Sequence, residues 1–229
     1  KSGTNYTKNI FSNYLNSYYK LDYKEKLNNL HSLFFNSLFS INPNKETPLS
    51  FQLYHDHIYR YNYDVIALFS GKRIISYRNP LDYVCSYSNM IIKERKIKRT
   101  LNSMLHSSIM DYCQIYINIK KLESKSNTFV TEFEKLYKDP FTTFKLIFTY
   151  LNIEINEDIL RQAIEESSKK NIKKLENKGE KMVPFHKHSH ISNTSITGRW
   201  KNELSSKQVS RIEKILNKYE IYLDHFILE

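Results

Sequence analysis

The sequence predicts an α/β domain in which a short parallel sheet is flanked by helices. Three stretches predict it. A glycine bend, Lys1-Ser2-Gly3-Thr4-Asn5-Tyr6, opens into residues with helical spacing. A short apolar run inside Lys72–Tyr77 stops at Asn79-Pro80 and passes into another helix, and Phe129-Val130 marks a further strand ahead of Asp139-Pro140. Apolar runs of this length, bounded by turn residues and separated by helical stretches, fit parallel strands joined through helical crossovers.

From Asn5 onward, Tyr6, Ile10, Phe11, Tyr14, Leu15 and Tyr18 recur at helical spacing, which predicts a helix over 6–20. Backbone N–H groups turned inward at a tight glycine bend, at the start of a helix, bind an anion, and a lysine beside them adds a point charge. Ser2 or Thr4 acting as an ordinary helix cap, with Lys1 solvated, is the plainer alternative. An aromatic-rich helical stretch over 24–40 and a Pro/Asn loop over 41–50 follow. Leu53-Tyr54-His55-Asp56-His57 then comes after an apolar run that includes Phe51.

Lys72-Arg73-Ile74-Ile75-Ser76-Tyr77 reads as a short buried strand, and Pro80 fits the first turn of a helix over 81–95. Asp82 places a negative charge near the positive end of that helix. Arg78 sits at the carboxyl end of the strand, and Ser86 lies about two turns into the helix. Ligands of open α/β sheets gather at that edge, where an arginine fork and a hydroxyl suit a phosphate monoester. A local Arg78–Asp82 pair is the alternative. Further on, the pattern predicts a helix over 100–122, a strand over 128–133 and a helix over 141–151 started by Pro140. Another helix follows over 156–169, and Val209, Ile212, Ile215 and Leu216 mark an amphipathic helix over 205–220.

The three segments, Lys1-Ser2-Gly3-Thr4 at the start, Arg78-Asn79-Pro80 with Asp82 and Ser86 in the middle, and Gly198-Arg199-Trp200-Lys201-Asn202 near the end, together resemble the PAPS-dependent sulfotransferase family, over essentially the whole chain. The resemblance implies a P-loop-like three-layer α/β domain. It also implies transfer of a sulfuryl group from 3′-phosphoadenosine 5′-phosphosulfate (PAPS) to an acceptor hydroxyl or amine by in-line displacement, with PAP as product and no metal. Lys1, Ser2, Gly3, Thr4 and Asn5 match the loop around the 5′-phosphosulfate, and Tyr6 stands where the family often has a Trp against adenine. Arg78 and Ser86 match the pair on the 3′-phosphate. His55 resembles the catalytic base, with Asp56 or His57 to orient or replace it, and Lys1 is the cation for the leaving group. Gly198, Arg199 and Trp200 match the late nucleotide-binding segment.

The chain departs from the family pattern in two places. Asn193, Thr194 and Ser195 stand where many relatives have Arg-Lys-Gly, which leaves Arg199, Lys201 or a lysine from 169–187 to supply charge. Phe133 replaces a frequent Tyr near the adenine, so stacking survives and a hydroxyl contact is lost.

Composition is compatible with this reading. In 229 residues, 40% of them hydrophobic, the chain carries enough apolar mass for one sizeable core, which predicts a single domain over 1–229. Because the phosphate loop needs a strand feeding it, that domain is expected to lack its first strand, upstream of Lys1. The 35 Lys and Arg against 24 Asp and Glu give a net charge of +11, which favours anionic ligands. Their dispersal among helices argues against nucleic acid as partner. Two cysteines are too few for a disulfide framework and point to a reducing, cytoplasmic setting, and no apolar run is long enough to span a membrane.

Residues 169–197 read as a polar loop over the site, in which His186, His188 and His190 alternate without a Cys or carboxylate nearby to complete a metal site. The 18 tyrosines, Tyr18, Tyr19, Tyr54, Tyr59, Tyr61 and Tyr63 among them, fit either an acceptor cleft or a core boundary. The acceptor, whether small molecule, lipid or saccharide, is not fixed by the scaffold. Two other readings keep the fold: an ATP-dependent P-loop phosphotransferase, and a non-catalytic nucleotide-binding module.

Overall fold

The computed structural model describes residues 4–18, 71–94, 100–171, 174 and 197–228. Two compact units divide the chain, one formed by Lys1–Thr4, Ile58–Ile153 and Ser195–Glu229, the other by Asn5–His57 and Glu154–Thr194.

In the first unit, strand β1 (Arg73–Tyr77) pairs in parallel with β2 (Thr128–Glu132), in the register Arg73↔Thr128 through Tyr77↔Glu132. The crossover between them holds two helices, α2 (Pro80–Glu94) and α3 (Leu101–Glu123). After β2 come α4 (Phe133–Lys138) and α5 (Pro140–Leu151), and the carboxyl-terminal part adds α7 (Trp200–Glu203), α8 (Ser206–Asn217) and a 3₁₀ turn, Leu223–His225. This is a mostly helical α/β arrangement built on a short parallel sheet, the class the sequence predicts.

Each boundary has a local cause. Asn79 Oδ1 accepts from the Asp82 backbone N–H at 2.8 Å, which caps α2 one residue ahead of Pro80. Thr100 and Ser103 form a reciprocal capping box on α3, as do Ser205 and Gln208 on α8. Strand β2 was expected to reach 133; it ends at Glu132, and Phe133 opens α4, a helix the sequence alone does not predict. Pro140 keeps Asp139 out of the helical region, at φ −133° and ψ 73°, so α4 is cut to six residues. Asp139 then caps α5 by accepting from the Thr142 N–H at 3.1 Å.

The core lies where α2, α3 and α8 meet. Leu81, Val84 and Cys85 pack with Leu105, Ile109, Tyr112 and Cys113 and with Ile212 and Leu216, and Leu204, Ile221 and Phe226 close the cluster. Cys85 and Cys113 are free thiols inside this core, where burial pushes their pKa up to about 12 and about 11. A second cluster, Ile75 with Ile119 and Leu122, seats β1 on α3.

The other unit holds α1 (Thr4–Tyr18) and α6 (Glu157–Glu166). The Tyr14 hydroxyl donates to the Glu154 carbonyl at 2.7 Å and accepts from the Asn156 N–H at 2.8 Å, so a single side chain fixes the chain just ahead of α6. Tyr18, one of the tyrosines considered for an acceptor cleft, donates to Glu154 Oε2 and stacks on Tyr14. No described helix is long and apolar enough to cross a membrane.

Candidate functional site

Arg78 stands directly after β1, at the carboxyl edge of the sheet, as the sequence predicts. Its side chain is only 2% exposed. Nη2 lies 3.4 Å from Asp82 Oδ2 and Nε lies 3.6 Å from Glu134 Oε1, and the Phe133 ring faces the guanidinium carbon at 5.0 Å. The Tyr112 hydroxyl donates to the Arg78 carbonyl at 2.7 Å, which ties this corner to the middle of α3. Burial pulls the guanidinium below its ordinary pKa, Arg199 adds repulsion, and Asp82 and Glu134 work against both. The local Arg78–Asp82 pair considered from the sequence is therefore present, as one side of a larger network.

Asn79 and Glu134 complete that network. Asn79 Nδ2 donates to Glu134 Oε1 at 2.8 Å and to Asp82 Oδ2 at 3.1 Å, and its backbone N–H reaches Glu134 Oε1 at 3.3 Å. Glu134 is 1% exposed, and its Oε2 has no hydrogen-bond partner among the described residues. Desolvation dominates, so its carboxyl is pushed up to about 7 in spite of Arg78 and the backbone donors. Beside it, Tyr77 donates to Glu132 Oε1 at 3.1 Å across the strand pair, and burial raises the phenol further above its ordinary range.

Asp82 carries the network to the third sequence motif. Its Oδ2 accepts from the Gly198 N–H at 2.7 Å and its Oδ1 from the Trp200 N–H at 3.1 Å. Gly198 adopts φ 73°, a left-handed conformation that a side chain would disfavour, so glycine is required at this turn. Arg199, between them, pairs with Glu203, with Nε at 2.6 Å from Oε1, and Glu203 Oε2 in turn accepts from Asn89 of α2 at 2.8 Å. Ser86 lies buried on α2, the helix that also carries Asp82 and Asn89.

Arg78, Ser86, Phe133, Gly198, Arg199 and Trp200 are thus all within one unit, with Arg78 in contact with Phe133 and linked through Asp82 to the 198–200 turn. Lys1, Ser2 and Gly3 lie outside the described residues, as do His55, Asp56, His57, the triplet Asn193 to Ser195 and the histidines 186 to 190. Thr4 and Asn5 begin α1, and Tyr6 is half-buried on it. The sequence reading missed Glu134 and the reach of Asp82. Glu134 carries no signal in the sequence alone; the register, with Tyr77 opposite Glu132, is what brings the residues just past the two strand ends together.

Comparison with known proteins bears on the family and the fold. Among solved structures, the mouse sulfotransferase SULT7A1 complexed with PAP superposes with a TM-score of 0.56 at 16% identity, over 65% of this chain and 58% of that one. A retinol dehydratase in complex with androsterone and the inactive cofactor PAP gives 0.63 at 13% identity, over 96% of this chain and 78% of that one. The chain therefore spans under two thirds of the mouse protein, and at these identities the likeness speaks for the fold. No curated protein matches it in sequence. A family model described as the sulfotransferase domain matches residues 1–219, nearly the whole of the 229, and the chain belongs to the sulfotransferase family.

Proposed function

We propose that the chain transfers a sulfuryl group from PAPS to an acceptor hydroxyl or amine, with Arg78, Ser86 and Arg199 serving the 3′-phosphate of the donor. The observation that carries the reading is the joining, through Asp82, of the Arg78 corner to the Gly198–Trp200 turn at the carboxyl edge of a parallel sheet. A guanidinium fork, a second guanidinium and a serine hydroxyl form a donor set suited to a phosphate monoester. Glu134 fits the same use, because a carboxyl that holds its proton up to about 7 spares an arriving anion one repulsive charge. The PAP named in both solved neighbours supports the choice of nucleotide.

In this reading Lys1 and the N–H groups of the Ser2–Thr4 bend stabilise the charge that develops on the leaving bisphosphate, and most of the acceleration comes from positioning and preorganised electrostatics. His55 takes the acceptor proton as the new bond to sulfur forms, since an imidazole titrates near neutrality. Trp200, on the same turn as Arg199, closes the nucleotide side. The androsterone held by one neighbour favours a small apolar alcohol among the acceptor classes. We place the protein in the cytoplasm and treat residues 1–229 as one functional domain.

Calorimetry with PAP and with ADP tests the donor, and transfer of label from PAPS to a panel of alcohols tests the reaction. Preference for PAP over ADP together with label transfer that His55→Ala abolishes is the expected result. Equal binding of ADP would favour a phosphotransferase. PAP binding without transfer would leave a binding module.

A further inference from the structure

Read from the sequence, Asp82 has a local part, as a helix-end charge or an Arg78 partner. The structure gives it a longer reach. Its carboxylate is fully buried and both oxygens are in use: Oδ2 faces Arg78, Asn79 and the Gly198 N–H, and Oδ1 takes the Trp200 N–H. The last two bonds cross 116 and 118 residues of chain. Hydrogen bonds from backbone N–H groups to an ionised carboxylate are shorter and about twice as strong as neutral ones. Within α7, one turn long, Lys201 and Asn202 bond back to Gly198 and Arg199, but those local bonds shape the turn without locating it against α2.

We infer that Asp82 is a positioning residue for donor binding: it pins the Gly198–Trp200 turn to the amino-terminal end of α2, and so holds Arg199 beside Arg78 for the 3′-phosphate, an inference that rests on the PAPS reading above. The geometry explains how a chain lacking Arg-Lys-Gly at 193–195 presents a second cation. Arg199 is 19% exposed, sits between the two residues whose N–H groups Asp82 holds, and is fixed in direction by Glu203, which Asn89 anchors to α2. Asp82 touches neither adenine nor sulfate in this account. Its effect is confined to the end of the nucleotide that distinguishes PAP from ADP.

Two substitutions test the idea. Asp82→Asn keeps the volume and one acceptor oxygen but turns an NH₂ group toward a backbone N–H. Gly198→Ala attacks the same tie from the other side, by putting a Cβ at φ 73°. Trp200 is the chain's single tryptophan, so its emission reports on this turn without labelling. The expected result is a loss of PAP affinity of about tenfold or more with ADP affinity unchanged. Trp200 also becomes more accessible to acrylamide quenching, and far-UV circular dichroism stays as in the wild type. General damage to the fold, which overturns the inference, would lower PAP and ADP affinity together. A wild-type chain that does not prefer PAP overturns the donor assignment and this inference with it. A wild-type preference that survives Asp82→Asn, with Trp200 still shielded, overturns the inference alone. If Asp82→Asn does not fold, Gly198→Ala decides: retained PAP preference refutes the inference, and its selective loss supports it.

Discussion

Replacing Glu134 with glutamine separates the cost of burying a carboxylate from the benefit of its hydrogen bonds. The amide side chain keeps an oxygen for the two Asn79 donors and cannot ionise. In the unfolded chain the glutamate releases its proton near 4.5, whereas burial in the folded chain holds the proton on until about 7. Between those values the folded state binds more protons than the unfolded one. The stability contributed by the neutral carboxyl is therefore complete below 4.5 and is lost as pH rises through 7, by about 3 kcal/mol in all. Urea unfolding of both proteins, followed by circular dichroism at several pH values from about 4.5 to 8, reads the effect as a difference in which other titrations cancel. The gap in favour of Glu134→Gln is expected to widen by about 3 kcal/mol across that range and then level off. A gap that stays constant, or one that narrows with rising pH, would refute the claim that desolvation outweighs Arg78 at this carboxyl.

Three further outcomes follow from packing and hydrogen bonding. Cys85 and Cys113 are fully buried with thiols raised to about 12 and about 11, so a chromogenic disulfide reagent at neutral pH will leave both unmodified in the folded protein and titrate both in urea. Ile109→Ala empties a fully buried site between α2 and α8 and is expected to cost about 2–5 kcal/mol in denaturant unfolding; a loss below about 1 kcal/mol would mean the cluster is loosely packed. Tyr14→Phe removes one hydroxyl from both the Glu154 carbonyl and the Asn156 N–H, and should lower stability by about 1–2 kcal/mol while speeding exchange of the Asn156 amide. Unchanged exchange there would show that water replaces the hydroxyl at no cost.

What could be read from the chain alone follows the range of the interactions involved. Strand β1, the start of α2 at Pro80 and the long α3 are set by neighbours within a few residues, by a proline, a cap or an apolar period, and their predicted bounds agree with the structure to within a residue or two. Helix α4 escaped because six residues carry too little periodicity to register, and Phe133 has the aromatic character of a strand residue. Buried against Arg78 and lying 6.0 Å from the Tyr137 ring, it serves a helix instead. Motif order revealed Arg78, Ser86 and the Gly198 turn as candidates, but the partner of each was hidden. Asp82 reaches a turn more than a hundred residues away, and Glu134 becomes visible only once the register of β1 and β2 is known.

That register also sets what must close for the corner to exist. Arg73 lies opposite Thr128, with α2 and α3 in the interval, so pairing the strands means closing a loop that holds both helices. Closing so long a loop costs entropy before any strand bond repays it. Arg78 gains its companions Phe133 and Glu134 only at that moment. In a partly melted chain Arg78 would accordingly stand apart from Phe133 and Glu134, and their contacts should be lost in the same cooperative transition that unzips the sheet.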